Sequence, residues 1–117
     1  MKMNFRHTKE FDRDFKRLAK KYRSLSDDLD EFKKVVKVRT LGIGKNFVIL
    51  TQDRKNCIIK ARLFCRNLKG SSLRIIYAYI QSSDKVEFIG IEFIELYYKG
   101  DKVREDIERI KNYLEQI

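Results

Sequence analysis

The sequence predicts an α+β fold of order β-α-α-β-β-β-α, an antiparallel sheet covered on one face by an N-terminal helix hairpin. Three observations carry that expectation. Two apolar stripes at helical spacing occupy the first third of the chain, three runs rich in β-branched and aromatic residues follow, and a last helical stripe closes it. A chain of 117 residues fits one domain, 1–117, able to bury a single core without disulfides or a metal. Its 43% hydrophobic and 38% charged residues are those of a globular protein, since disordered chains are poor in aromatic and β-branched residues.

Lys2 to Arg6 is long enough for one strand, and Thr8 stands where a helix N-cap belongs. Phe11, Phe15, Leu18, Ala19 and Tyr22 recur on one face of a 3.6-residue helix, while Arg13, Lys16, Arg17, Lys20, Lys21 and Arg23 fall largely off it. Ser26, with Asp27 and Asp28 behind it, reads as the N-cap of a second helix whose buried face is Leu29, Phe32 and Val36. The short connection Arg23 to Leu25 makes the two helices an antiparallel hairpin. From Arg39 to Asn56 periodicity fades, and a loop or irregular extended pieces are expected. Gly-Ile-Gly-Lys at 42–45 lacks the strand-then-helix context of a phosphate-binding loop, so an ordinary turn is expected there. Strands follow at Ile58–Phe64, Leu73–Gln81 and Val86–Tyr97, joined by Gly/Ser and Ser-Ser-Asp turn signals into a meander. Asp101 opens a last helix carrying Val103, Ile107, Ile110, Leu114 and Ile117 on one face.

Several classes are excluded. Charged residues interrupt every window long enough to cross a bilayer, and the first eleven residues have no apolar core, so neither a membrane span nor a secretory signal is expected and the cytoplasm is the expected location. Cys57 and Cys65 form no CxxC pair and cannot make a zinc site with the single His7. On one continuous strand they would lie roughly 25 Å apart, so buried, reduced thiols are expected. There remain 27 Lys and Arg against 17 Asp and Glu, a net charge of +10. A phosphate polymer is the commonest partner for such a surface, because each neutralised phosphate releases condensed counterions; an acidic protein or an anionic membrane would serve the same electrostatics.

The period of two in the first meander strand sends Ile59, Ala61, Leu63 and Cys65 to one face and Lys60, Arg62 and Arg66 to the other. Lys60 and Arg62 would then stand exposed about 7 Å apart, near the spacing of successive phosphates. Arg74 opens the next strand and can fall beside Arg62 or Arg66. Tyr97, Tyr98, Lys99 and Lys102, followed by Arg104, add aromatic rings for base stacking and further cations. Tyr77 and Tyr79 are expected to pack in the sheet, His7 to be an exposed bystander, and most cations of the first helix to be solvated.

A hairpin beginning FDRDFKRLAKKY, a KAR strand, a turn into LRIIY and a terminal YYKGDK before a last helix resemble the RelE/ParE toxins over nearly the whole chain. The resemblance rests on the order and spacing of several signals. It implies a RelE-like fold and the toxin of a type II toxin–antitoxin system, a ribosome-dependent, metal-independent endoribonuclease that cuts translated mRNA and needs no cofactor. Attack by a ribose 2′-hydroxyl requires that oxygen deprotonated, the phosphate charge stabilised and the leaving oxygen protonated. With one histidine, a two-histidine acid–base pair cannot form within one chain. The resemblance assigns catalysis to Lys60, Arg62, Arg74 and Tyr98: the first two on the attacking and phosphate side, Arg74 as phosphate clamp, and Tyr97 or Tyr98 against a base or the 2′-hydroxyl. It assigns RNA binding to Arg66, Tyr97, Lys99, Lys102 and Arg104. It further implies an acidic antitoxin that wraps the helices or covers the patch, the ribosome and mRNA as partners, no membrane, and a monomer within a larger complex. Two alternatives remain: a ParE-like inhibitor of DNA gyrase with no nuclease activity, and a decayed toxin.

Overall fold

A computed structural model of the chain describes residues 2–38, 44–53, 56–69, 71–81 and 88–116. Strand β1, Lys2–His7, feeds helix α1, Lys9–Lys21, across Thr8, whose side chain accepts from Phe11 N at 3.1 Å as the N-cap. Helix α2 spans Leu25–Val38. It starts before the expected Ser26, because Leu25 is fully buried and Ser24 takes the leading position, its carbonyl accepting from Asp28 N and its hydroxyl donating to Asp28 Oδ2 at 2.6 Å. Strands β2 (Phe47–Gln52), β3 (Asn56–Phe64), β4 (Ser72–Gln81) and β5 (Phe88–Tyr98) follow, and helix α3, Ile107–Glu115, ends the order. The first residues of the 42–45 run, the start of the third predicted strand at Val86, the Ser-Ser-Asp turn and Ile117 lie outside the described residues.

The class is α+β, but the sheet departs from expectation in four ways. First, it has five strands in the order β1-β5-β4-β3-β2, because β2 forms within the stretch expected to be irregular. Second, it is mixed: β1 runs parallel to β5 from Lys2↔Phe88 to His7↔Phe93, whereas the other neighbours are antiparallel. A strand whose neighbour is reached only after the hairpin and the whole meander is not bound to the antiparallel sense of a tight turn.

Third, both faces carry a core. The helix hairpin packs Phe11, Leu18, Leu25 and Phe32 onto Ile59, Ala61, Leu63, Ile75, Tyr77 and Phe93. On the opposite face Ile110 and Tyr113 of α3 pack with Ile58, Ile76, Ala78, Ile94 and Tyr97. Each such fully buried Ile or Phe contributes about 1.5–3 kcal/mol through removal from water. Fourth, α3 begins at Ile107, six residues after the expected Asp101. Its N-cap is Asp106, which accepts from Arg109 N, and Val103 is 83% exposed and supports no helical stripe.

A bulge decides which residues of β5 face which core. Ile76 pairs with Glu95 and Tyr77 with Phe93, so Ile94 is unpaired. Before the bulge odd-numbered residues such as Ile91 and Phe93 face the helix hairpin; after it Leu96 and Tyr98 do, and Tyr97 turns to the α3 face. The backbone of β5 beyond Phe93 has no β1 residue beside it, and side chains occupy that edge. Asp14 of α1 accepts from Leu96 N at 3.1 Å and pairs with Arg109 of α3 at 2.7 Å, while Arg109 also donates to Ile94 O at 3.1 Å. One buried carboxylate thus ties α1, β5 and α3 together. Among the described residues no helix is long and apolar enough to cross a membrane.

Candidate nucleic-acid interface

Cross-strand register gathers the predicted residues into rows on the α3 face of the sheet. Arg62 lies opposite Arg74, and Arg74 opposite Tyr97; in the next row Lys60 lies opposite Ile76, and Ile76 opposite Glu95. Beside the first row opens a cleft of about 400 Å³, lined by Arg62, Phe64, Cys65, Leu68, Ser71, Ser72, Arg74 and Lys99. Three of its side chains are cationic and none is acidic. Arg74 is held in place, its Nη1 donating to Ser72 Oγ at 2.7 Å and to Ser72 O at 3.4 Å. Neither contact neutralises its charge, so the guanidinium keeps its attraction for an anion.

The other cations expected in the patch are differently placed, because acids hold Lys60, Arg66, Lys102 and Arg104. Lys60 reaches Glu105 at 2.9 Å, and Glu105 is buried. Burial raises the Glu105 carboxyl, but the hydrogen bond from Lys60, its own backbone and the charges of Lys60 and Arg104 outweigh it, holding the group below the usual carboxylate range. Lys102 pairs with the fully buried Glu95 and sits 5.1 Å from the Tyr97 ring centroid. Asp106 N also donates to Glu95, at 2.9 Å. Residues 102–106 therefore form a strap fastened across Lys60 and Tyr97.

Tyr97 is 3% exposed, and burial together with Glu105 and Glu95 pushes its hydroxyl up to about 12 despite Arg74 and Arg104. At neutral pH it is a proton donor and not a base. The strap thus closes the charge-balanced second row and the Tyr97 end of the first, while the Arg62 and Arg74 end of the first row is open and cationic.

The expected residues thus separate. Arg62 is exposed and Arg74 half-buried at the cleft, and Lys99 joins them there. Lys60, expected to stand free beside Arg62, is paired under the strap. Arg66, expected on the same open face, turns to α2, where its Nε donates to Asp28 Oδ1 at 3.3 Å and its N donates to Asp28 Oδ2 at 3.2 Å. The strand has ended at Phe64, so the alternation that would aim Arg66 outward no longer applies. Tyr98 is corrected as well: the bulge sends its ring to the helix-hairpin face, where it packs against that core, away from the first row. Its ring crosses Gly100, where any Cβ would collide with it. Arg104 is exposed, 3.8 Å from Glu105.

Comparison with family models, with curated proteins and with solved structures finds no significant match. The physical description of the site therefore stands on its own residues. A larger cleft of about 660 Å³ lies between the start of α1, β5 and α3, but its lining is predominantly acidic, with Glu10, Glu92, Asp106 and Glu108 against Lys9 and Arg109; Tyr113 donates to Glu92 at 2.7 Å, and Arg109 is held by Asp14. His7 lines that cleft and meets Asp12 at 2.9 Å, far in sequence and register from the basic row. Burial raises both cysteine thiols, with the Asp28 charge adding to the effect at Cys65 against hydrogen bonds from Ser24 and the backbone of Asn67. The acid-free cleft is accordingly a concave site where an anionic chain meets cations that no acid holds. Three contributors were not singled out from the sequence: Ser72, Phe64 and Glu105. The alternation that places Lys60 and Arg62 outward also places Phe64 outward, so that signal was present; no local pattern marks Glu105.

Proposed function

We propose that this chain binds RNA through the Arg62–Arg74 cleft and acts as a RelE/ParE-type toxin, a metal-independent endoribonuclease on translated mRNA whose activity an acidic antitoxin restrains. The observation that carries the reading is the register Arg62–Arg74–Tyr97 on one sheet face, beside a cleft with three cations and no carboxylate. Arg62 and Arg74 suit the charge that develops on a phosphate during attack by the 2′-hydroxyl, since two adjacent guanidiniums, one of them held by Ser72, favour the more highly charged state. Tyr97, protonated at neutral pH, is suited to give a proton to the departing 5′-oxygen once the strap over it is lifted. Lys60, released from Glu105 by the same movement, is the cation nearest in register to support the attacking oxygen. The RelE-like topology belongs to this reading, with β2 as an additional edge strand.

Induced expression of the wild type and of Arg62→Ala/Arg74→Ala, followed by growth and by the 5′ ends of a translated messenger, tests it. The wild type is expected to arrest growth with new ends inside translated codons, and the variant to do neither. Growth arrest with intact messenger would replace the nuclease by a gyrase-type binding activity, and unimpeded growth by an inactive toxin.

A further inference from the structure

Phe64 is the last residue of β3 and is 64% exposed, a large apolar ring at the end of a strand whose other outward residues are Arg62 and Lys60. A single exposed apolar side chain is ordinary on a protein surface. This one lies at the lip of the acid-free cationic cleft, two positions from Arg62 on the same face and therefore about 7 Å along the strand from it; the two residues also border a groove lined by Asp28, Glu31, Phe32 and Val35 of α2. On the neighbouring strand, the residue in register with Phe64 is Ser72, whose hydroxyl holds Arg74 Nη1. An aromatic platform, a held guanidinium and a second guanidinium are thus arranged around one opening.

Such a set does not suit a phosphate polymer in general. A duplex offers its phosphates but keeps its bases stacked inside, so a protruding ring gains nothing from it and stands in the way of the backbone. A single strand offers both the phosphate and the exposed face of a base, and stacking of that face on an aromatic side chain tolerates any base. We infer that this cleft is a subsite for one unpaired nucleotide, its phosphate between Arg62 and Arg74 and its base on the Phe64 ring, so that Phe64 sets a preference for single-stranded over double-stranded RNA. The inference rests on the reading that the Arg62–Arg74 face takes RNA, and adds to it the class of RNA and the residue that selects it.

The exposed position of Phe64 makes the test clean, because its replacement removes little buried surface and leaves the core intact. The experiment measures binding of a labelled single-stranded RNA octamer, and of the same octamer annealed to its complement, by fluorescence anisotropy at fixed salt. The proteins are the wild type, Phe64→Ala, Phe64→Trp and Arg62→Ala/Arg74→Ala, each checked for its fold by circular dichroism. Phe64→Ala is expected to weaken single-strand binding by about tenfold, in line with the loss of one stacked base, and to leave duplex binding unchanged. Phe64→Trp is expected to restore it. Equal affinity of Phe64→Ala and wild type for the single strand, or an equal loss on both RNAs, would overturn the subsite. If the double arginine variant weakens binding while Phe64→Ala does not, only the stacking platform fails; if neither variant changes binding, the RNA-binding reading of this face fails with it.

Discussion

At the scale of single residues, buried carboxylates decide which cations remain available. Asp28 is the clearest case. It is 5% exposed, and burial by itself raises its carboxyl; donation from Ser24, Cys65 and Arg66 more than offsets this and leaves it below its ordinary value of 3.8. These bonds fix the turn after β3, whose residues Cys65 and Leu68 wall the cationic cleft, and they draw Arg66 away from it. A carboxyl lowered in the folded state contributes stability that is present above its unfolded value and is lost as pH falls through the folded one. Asp28→Asn is therefore expected to be about 1–3 kcal/mol less stable than wild type at pH 7, and the gap is expected to shrink as acidification carries the wild type below the ordinary carboxylate range and Asp28 takes up its proton. Arg66 is 68% exposed, so its ion pair supplies little of this; the Ser24 hydroxyl and the Arg66 backbone N–H supply most. Urea unfolding at neutral and at acid pH checks it, and a gap that stays constant would remove the ionised Asp28 from the account.

At the scale of elements, the bulge at Ile94 and the edge beside it do what no single strand could. The bulge changes the parity of β5 and brings Tyr97 to the α3 face, and Asp14 then caps the edge that β1 leaves uncovered. Asp14→Ala would leave the largely buried Arg109 with only the 4.0 Å contact to Asp106 in place of its close acid, and Leu96 N without an acceptor. A loss of about 3–5 kcal/mol is expected, and Arg109→Ala added to it should cost much less than its own single effect, because the two share one bond. A double-mutant cycle in urea reads this directly, and additive losses would show that the two act separately. The same elements explain what the sequence made legible. The stripes Phe11–Leu18 and Leu29–Val36, and the alternation Ile59–Ala61–Leu63, are strictly periodic because each buries one face, and the structure keeps them. Strand β2 was missed because it is an edge: Val48 and Ile49 are both half-exposed, so burial imposes no alternation on it. The bulge was missed because Ile94 and Glu95 share a face only through the pairing of Glu95 with Ile76 of β4, 19 residues away in sequence. Arg62 and Arg74 were legible from a period of two, whereas the pairing of Lys60 depends on Glu105, which lies 45 residues downstream.

At the scale of the whole molecule, a net charge of +10 would attract any polyanion, but the ion pairs make the attraction uneven. Lys60, Lys102, Arg66 and Arg109 each face an acid, and the cations lining the acid-free cleft are Arg62, Arg74 and Lys99. A paired lysine releases no counterion when a phosphate approaches unless its acid is first displaced, so the salt dependence of RNA binding should count the unpaired cations and pass over the paired ones. Each phosphate neutralised on a single strand contributes about 0.7 to the slope of log K against log salt, so Arg62→Ala/Arg74→Ala, which gives up the one phosphate held between the two arginines, should lower the slope by about 0.7. Lys60→Ala should change it little. Glu105→Gln removes the acid that holds Lys60 and should steepen the slope by up to about 0.7 while tightening binding at low salt. The order of the three variants is the discriminating result, more than any one value. If Lys60→Ala flattens the slope as much as the loss of either arginine, then RNA lifts the 102–106 strap on binding, Glu105 is displaced by the incoming phosphate, and the second row belongs to the bound surface from the first encounter.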